Sequence, residues 1–276
     1  MNRYIFVGSL ILFVGTVFAS EFEYIFGDAQ KFLSELKMQS TEINQVLEDS
    51  AFQESDLLFL EAEVDEDTNL LESNSIYVIV NVGEREMELT DVPKNTWFAP
   101  FVRSAAEKGI VSGYKDEQGV LLGLFGPADL VSIEQLAKMT LGASNVYLSS
   151  CNGSILNKSA VGSWSESYIL CTEELGWAIY SDGGIDVKKP ATRSEVIITI
   201  MQAFNVLFES STGEIFTDVN SSTQFSGAIE RAAKDGIVSG FADENGNPTG
   251  LFGPSDSVTR AEIAKIVTLA IDVYGG

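Results

Sequence analysis

The chain has 276 residues, and its 40 acidic side chains outnumber the 17 basic ones to give a net charge of −23. This acidity argues against a nucleic-acid partner, because binding phosphates requires clustered lysine and arginine. The sequence has no histidine, which excludes a Ser-His-Asp triad and any histidine-ligated zinc site. We predict no catalytic centre, no metal site and no cofactor.

The first 19 residues have the composition of a signal peptide. Arg3 precedes an apolar run from Tyr4 to Phe18, and Ala19 completes a small-x-small sequence before the first acidic residues. The run of about 15 residues is shorter than the roughly 20 that a spanning helix needs. We therefore predict export, cleavage near Ala19 and no stable membrane span afterwards. An uncleaved N-terminal anchor is the alternative.

Residues 20–88 form an acidic N-terminal region. Apolar residues between Phe22 and Leu36 recur at helical spacing and predict an amphipathic helix. The β-branched run Ile76–Val82 predicts a strand. No motif in this region assigns a function. We expect it either to cap the remainder of the chain or to provide, within residues 21–88, a surface for self-association or for a protein partner.

The remainder of the chain is repetitive. Residues 89–143 align without a gap with residues 216–270. Two five-residue blocks stay in register through this alignment: Gly109–Gly113 matches Gly236–Gly240, and Gly123–Pro127 matches Gly250–Pro254. Self-similarity of this kind indicates a repeat architecture.

A degenerate copy lies between the two intact ones. Trp164 and Gly176 correspond to Trp97 and Gly109, whereas the Gly-Leu-Phe-Gly-Pro block is missing. The sequence is therefore divided into a first repeat (89–146), a middle copy (147–207) and a third repeat (214–274).

Each copy is predicted to form two helices joined by a loop. The second helix begins with the sequence of a capping box, in which Ser or Thr is followed three residues later by Glu or Gln. The three pairs are Ser132 and Gln135, Thr192 and Glu195, and Thr259 and Glu262. One helix pair is too small to bury its apolar face, so the three copies are expected to share a core.

The two cysteines, Cys151 and Cys171, both lie in the middle copy. Export permits a disulfide, and closing a loop of about 20 residues would stabilise the protein by roughly 3 kcal/mol in the chain-entropy description. We predict that they pair, because the middle copy has lost its central loop and gains most from a covalent link. Two unpaired thiols are the alternative.

Five blocks of the repeat resemble the S-layer homology family: Thr90–Val92, Trp97–Phe98, Gly109–Tyr114, Gly123–Asp129 and Thr259–Glu262. The resemblance covers about residues 89–274. It implies a mainly α fold in which three helix-loop-helix repeats form a pseudo-threefold helical spindle, here with a small acidic N-terminal extension. It also implies that the exported protein is anchored non-covalently at the cell surface, by binding a secondary cell-wall polysaccharide, often through a pyruvylated sugar, in grooves between repeats.

In this interpretation the leading ligand residues are Arg260 and Arg193, each at the start of a second helix. A cation in the first turn of a helix is mildly unfavourable, so helix capping does not explain these arginines. An arginine beside helix-terminal N–H groups suits an anionic sugar substituent. The first repeat has Ile133 at this position. We expect the groove served by Arg260 to be the principal site, and Arg260→Ala to leave stability almost unchanged. A surface ion pair is the alternative role.

Four further residues are candidate polysaccharide contacts. Gly113 and Gly240 match a glycine-rich stretch that lets a sugar approach the backbone in the family, and Trp97 and Trp164 could stack on a sugar ring. Turn formation explains the glycines without a ligand, and packing in the core would explain the tryptophans.

Two other functions remain open. One is an envelope glycan hydrolase that works with carboxylates, although the N-terminal region leaves little room for a catalytic domain. The other is a structural envelope protein whose N-terminal helix recruits a partner.

Overall fold

The computed structural model describes residues 75–83 and 85–275, which all lie in one compact unit, Leu70–Gly276. The predicted signal peptide and the predicted amphipathic helix lie outside the described residues. Within the described part, no helix combines the length and the apolar character needed to cross a membrane.

An antiparallel hairpin precedes the helices. Strand β1 (Tyr77–Val82) pairs with strand β2 (Arg85–Pro93), which confirms the strand predicted at Ile76–Val82. Val78 on β1 pairs with Leu89 on β2, and both side chains are buried. The hairpin straddles the boundary between residues 88 and 89, so β2 leads directly into the first repeat.

The described residues contain six α-helices, two in each copy. They are α1 (Ala99–Glu107) and α2 (Ile133–Ala143) in the first repeat, α3 (Glu166–Glu174) and α4 (Arg193–Ala203) in the middle copy, and α5 (Ser226–Lys234) and α6 (Arg260–Tyr274) in the third repeat. Two short 3-10 turns, Leu148–Ser150 and Lys158–Ala160, precede α3. This part of the chain is mainly α.

The second helix of each copy begins at a complete capping box. The hydroxyl of Ser132 accepts a hydrogen bond from the backbone N–H of Gln135, whose side chain accepts one from the N–H of Ser132 in return. The same reciprocal bonds join Thr192 with Glu195 and Thr259 with Glu262. These bonds satisfy backbone donors that the first turn leaves unpaired, and they fix where α2, α4 and α6 start.

The segments that precede these three helices are joined in a closed ring. Val131 donates its backbone N–H to the carbonyl of Val258 at 2.9 Å, Val258 donates to Ala191 at 3.1 Å, and Ala191 donates to Val131 at 2.8 Å. All three residues are fully buried. Each copy therefore contacts both of the others at the centre of the unit.

Helix packing follows the same cyclic order. The first helix of each copy packs against the second helix of another copy: α1 against α6, α3 against α2, and α5 against α4. One apolar core runs through all three copies and includes Leu136, Ile197 and Ile263. The copies thus share a core, as expected for units that cannot fold alone.

Cys151 and Cys171 form the predicted disulfide. Cys171 is a fully buried residue of α3, whereas Cys151 follows the 3-10 turn Leu148–Ser150. The bridge ties the segment that enters the middle copy to the first helix of that copy.

Candidate functional site

The N-terminus of each second helix docks on a loop of another copy through two backbone hydrogen bonds. In the third repeat, Arg260 and Ala261 donate their N–H groups to the carbonyls of Asp129 and Pro127 at 2.8 and 3.0 Å. We name this contact the Arg260 junction, and it includes the rings of Tyr114 and Phe125 that lie against the arginine.

The equivalent contacts of the other two copies repeat this backbone geometry. In the Arg193 junction, Arg193 and Ser194 donate to Asp256 and Pro254 of the third repeat at 2.8 and 3.1 Å. In the Ile133 junction, Ile133 and Glu134 of the first repeat donate to Lys189 and Val187 of the middle copy at 3.1 and 2.9 Å. The three junctions therefore share a backbone arrangement and differ in their side chains.

Arg260 is a buried side chain with 5% of its surface exposed. Its Nε donates to the carbonyl of Phe125 at 2.7 Å, and its guanidinium carbon lies 4.9 Å from the ring centroid of Tyr114 and 4.7 Å from that of Phe125. Burial lowers the pKa of Arg260, while Tyr114, Asp129 and Asp91 act in the opposite direction, and the group stays protonated. The alternative of a surface ion pair is therefore wrong for Arg260. The burial also changes the expected effect of Arg260→Ala: we now expect it to lower stability, because the substitution removes a buried hydrogen bond and two ring contacts.

The terminal nitrogens of Arg260 nevertheless remain partly accessible. Among the described residues, Arg260 makes no ion pair, and its side-chain hydrogen bond to the Phe125 carbonyl uses Nε alone. No buried side-chain nitrogen in this part of the chain lacks a hydrogen-bond partner. The terminal nitrogens are therefore not completely buried, although Arg260 as a whole is 5% exposed.

Carboxylates hold the receiving loop of the Arg260 junction in place. Asp91 accepts hydrogen bonds from the backbone N–H groups of Phe125 and Gly126 at 2.8 and 2.7 Å. The hydroxyl of Tyr114 donates to Asp129 at 2.7 Å. These bonds explain the recurrence of Asp91 as Asp218 in the third repeat, where the same two backbone bonds are made.

The Arg193 junction has the same design with one added carboxylate. Arg193 is 6% exposed, its Nε donates to the carbonyl of Phe252 at 2.8 Å, and its guanidinium carbon lies 4.7 and 4.8 Å from the rings of Phe241 and Phe252. Its Nη1 also lies 3.4 Å from Oε1 of Glu262. At the Arg260 junction the position equivalent to Glu262 is Gln135, which carries no charge.

The Ile133 junction has no cation at this position. Ile133 is fully buried, and the receiving loop of the middle copy lacks the Gly-Leu-Phe-Gly-Pro block. Tyr180 is fully buried nearby and donates its hydroxyl to the carbonyl of Ile133 at 3.2 Å. The first repeat lacks the arginine and the middle copy lacks the loop block. Both differences affect the Ile133 junction, although the two positions lie far apart in the sequence.

Trp97 and Trp164 lie at the surface, with 56% and 54% of their side chains exposed. The alternative that they pack in the core is therefore wrong. Lys265 of α6 places its Nζ 5.9 Å from the ring centroid of Trp97, and Lys138 of α2 places its Nζ 5.8 Å from that of Trp164. The sequence analysis missed these lysines, although Lys138 and Lys265 occupy the same position in the two intact repeats.

Gly113 and Gly240 have a backbone role within their own repeats. Both have positive φ angles, of 71° and 73°. A Cβ atom would approach the carbonyl oxygen of Leu124 to 2.7 Å at Gly113, and that of Leu251 to 2.6 Å at Gly240. The close turn requires glycine in each case.

Comparison with known proteins identifies the repeats. Residues 88–137 and 215–264 match the family model of the S-layer homology domain. The chain therefore contains two S-layer homology domains, at the positions of the first and third repeats. The match does not extend to the middle copy.

Three relatives show the breadth of proteins that carry similar segments. The chain is 26% identical over 205 residues to S-layer protein EA1 of Bacillus anthracis, covering 72% of this chain and 22% of that protein. It is 29% identical over 141 residues to exoglucanase XynX of Acetivibrio thermocellus, covering 49% of this chain and 12% of that protein. It is 34% identical over 85 residues to endo-1,4-beta-xylanase A of Thermoanaerobacterium saccharolyticum, covering 31% and 7%.

The chain thus spans between 7% and 22% of the length of these three relatives. The chain shares most of its own length with the S-layer protein, and segments of 141 and 85 residues with the two enzymes. The S-layer homology domain anchors proteins to the cell wall, so the chain is an exported, surface-associated protein with wall-anchoring domains.

Proposed function

We propose that the chain is held at the wall by binding an anionic secondary cell-wall polysaccharide at the Arg260 junction, with the Arg193 junction as a weaker second site. The observation that carries this proposal is the state of Arg260, whose terminal nitrogens are not completely buried and have no carboxylate partner among the described residues. A guanidinium suits a planar carboxylate, such as that of a pyruvylated sugar, because it can donate two parallel hydrogen bonds.

The aromatic residues support a sugar ligand. Trp97 and Trp164 are more than half exposed, and a lysine ammonium lies over the ring of each. An exposed indole offers apolar area to the CH groups of a sugar. We assign to Gly113 and Gly240 an indirect contribution: they allow the turns that place Tyr114 and Phe241 against the two arginines.

We also propose that the middle copy is a third, degenerate repeat and that the three copies form a pseudo-threefold helical spindle. The closed ring of backbone bonds through Val131, Ala191 and Val258 supports this arrangement, as do the three capping boxes. In this arrangement the Ile133 junction keeps its structural role and binds no anion.

A catalytic role is not proposed. The matches to the exoglucanase and the xylanase cover 12% and 7% of those proteins, and we attribute the likeness to anchoring rather than to hydrolysis. Incubating the pure protein with wall fragments should release no soluble sugar; release would favour the hydrolase alternative.

The function of residues 21–88 is a separate proposal that rests on the sequence. The acidic region either recruits a protein partner, mediates self-association or caps the anchoring unit. Light scattering of the mature chain with and without residues 21–88 distinguishes these roles, because self-association should be lost with the deletion.

Co-sedimentation with purified wall sacculi tests the proposed anchoring function. The mature protein should sediment with sacculi that retain their secondary polysaccharide and should stay in solution once that polymer has been stripped. Equal binding to intact and stripped sacculi would show that peptidoglycan is the ligand and would overturn the proposal.

A further inference from the structure

Cations gather around the Arg260 junction in a protein whose net charge is −23. Lys115 follows Tyr114, whose ring lies against Arg260, and Lys138 lies on α2 of the same repeat. Partial burial lowers the pKa of Lys138, and the charges of Lys115 and Arg260 lower it further. Lys138 is therefore close enough to each of the other two cations to be repelled by it.

Within the described residues, Lys115 and Lys138 form no salt bridge with an aspartate or glutamate. Like charges held together without a counter-charge destabilise the folded state. A bound anion would relieve that repulsion, and one anion at Arg260 would leave the two lysines unmatched.

Trp164 provides an exposed aromatic ring next to Lys138, on which a sugar could stack. Trp164 is 54% exposed, and the Nζ of Lys138 lies 5.8 Å from its ring centroid. A sugar stacked on this ring would place its substituents beside a lysine ammonium. The indole comes from the middle copy, whereas Lys115 and Lys138 come from the first repeat, so the surface spans two copies.

The Arg193 junction provides the matched comparison. It keeps an equivalent lysine, Lys265, beside an equivalent indole, Trp97. However, it has Ala242 in the place of Lys115, and Glu262 pairs with its arginine where the other junction has Gln135. The Arg260 junction thus has one cation more and one carboxylate fewer than the Arg193 junction.

We propose that the Arg260 junction binds a wall glycan that carries two anionic groups, one held by Arg260 and the second by Lys115 and Lys138, with a sugar stacked on Trp164. This inference rests on the proposed function and specifies its ligand. By contrast, the Arg193 junction, with its added carboxylate, is suited to a single anion. The second anion is a carboxylate or a phosphate of the same polymer.

Two reciprocal substitutions test the proposal. Lys115→Ala gives the first repeat the residue found in the third, and Ala242→Lys does the reverse; both positions are exposed. Binding of the mature chain to intact sacculi is measured at about 0.1 M and about 1 M NaCl, between which the Debye length falls from roughly 10 to roughly 3 Å. Lys115→Ala should weaken binding about two- to fivefold at the lower salt, as for one exposed ion pair, and should have little effect at the higher salt.

The remaining variants complete the comparison. Lys138→Gln should act like Lys115→Ala, Lys115→Arg should bind like the unaltered chain, and Ala242→Lys should strengthen binding at the lower salt. Unchanged binding by both Lys115→Ala and Lys138→Gln at both salt concentrations would overturn the inference while leaving the proposed function intact. Failure of the unaltered chain to bind intact sacculi would instead overturn the proposed function.

The chemical source of the second anion is determined in the Arg260→Met background, which already lacks the contact to the first anion. Sacculi whose carboxylates have been converted to amides, which leaves phosphates charged, are compared there with untreated sacculi. If the effect of Lys115→Ala disappears on this material, the second anion is a carboxylate. If the effect persists, it is a phosphate. Thermal melting of each variant checks that the exposed substitutions leave the fold unchanged.

Discussion

The Arg260 junction and the Ile133 junction have the same backbone contacts and opposite side-chain chemistry. In both, the first two residues of a second helix donate N–H groups to a loop of another copy. At one junction an arginine lies between two aromatic rings with its terminal nitrogens not completely buried; at the other an isoleucine and a tyrosine are fully buried. The difference shows that docking of the copies does not depend on the arginine, so the arginine is free to serve a ligand.

The comparison also shows that two differences between the copies are structurally linked, because both affect the Ile133 junction. Ile133 replaces the arginine in the first repeat, and the loop block is missing from the middle copy. In the register of the docked loops, the carbonyl of Ile185 takes the place of the Phe125 carbonyl, and it already accepts a hydrogen bond from the hydroxyl of Ser159 at 2.9 Å. An arginine at position 133 would therefore have to share this acceptor. A buried cation without a partner of its own is costly, whereas isoleucine fits an apolar contact.

The largest expected difference between the two junctions is the loss of stability when Ile133 is substituted. Ile133→Ala removes a fully buried side chain and should lower the free energy of unfolding by about 2–5 kcal/mol. Wall binding by the folded fraction should not change. Denaturant unfolding and sacculus binding measure the two quantities, and Ile133→Val, with a cost of about 0.5–1.5 kcal/mol, is the matched control. Weaker wall binding by Ile133→Val would show that this junction takes part in ligand binding.

Removing the disulfide tests how much the bridge stabilises the middle copy, which lacks the loop block. Replacing Cys151 and Cys171 together by alanine should lower the free energy of unfolding by about 3 kcal/mol, because the unfolded chain regains the freedom of the closed loop. Chemical denaturation of the variant, compared with the reduced native protein, measures this loss. Binding through Arg260 should persist, since neither cysteine belongs to that junction. A folded double variant that no longer binds sacculi would contradict the account.

Removing the charge of Arg260 should affect wall binding as well as stability. Arg260→Met keeps most of the buried aliphatic volume, but it leaves the Phe125 carbonyl without its Nε donor, which should cost about 1–3 kcal/mol of stability. It also removes the charge-assisted hydrogen bond to the ligand, which contributes about 1.5–3 kcal/mol. Affinity for sacculi should fall by roughly ten- to a hundredfold at about 1.4 kcal/mol per decade. Arg193→Met is the matched control and should cost less, because Glu262 already pairs with Arg193. Equal losses for the two variants would contradict the ranking of the junctions.

The smallest effect concerns the connection between the middle copy and the third repeat, which belongs to no junction. Burial acts to raise the pKa of Glu230, but hydrogen bonds from Ser211, Thr212 and Gly213 outweigh it and lower the pKa to about 2. A depressed pKa in the folded state stabilises the protein above the ordinary value of 4.5, and this contribution is lost as the pH falls toward about 2. Glu230→Gln should therefore be less stable than the native protein at neutral pH, and the difference should shrink between about pH 4.5 and 2. Urea unfolding across this range measures it, and a constant difference would contradict the assignment.

Much of the fold could be predicted from local sequence. The gap-free alignment of the two intact repeats located them, the spacing of Ser132 to Gln135 and its equivalents located the helix starts, and the apolar run at Ile76–Val82 located a strand. Each of these features depends on residues close together in the chain, where spacing is a direct physical signal. The disulfide was also predicted, because the chain has two cysteines and its first 19 residues have the composition of a signal peptide.

The chemistry of the junctions could not be predicted in the same way. Arg260 donates to the carbonyl of Phe125, which is 135 residues earlier in the chain. The burial of the arginine, and the meeting of Ile133 with the shortened loop, depend on which copy docks on which. That order is fixed by the ring of backbone bonds, and backbone groups leave no signature in the side-chain pattern.

The central claim is that an anionic wall polymer binds at the Arg260 junction and not at the Ile133 junction. An NMR titration of the mature, isotope-labelled chain with polymer released from sacculi tests it most directly. The account predicts that the largest shifts fall on the side-chain N–H signals of Arg260 and the indole of Trp164, with smaller shifts at Arg193 and none at the backbone of Ile133. Shifts concentrated at Ile133 and Tyr180, with Arg260 unaffected, would contradict it.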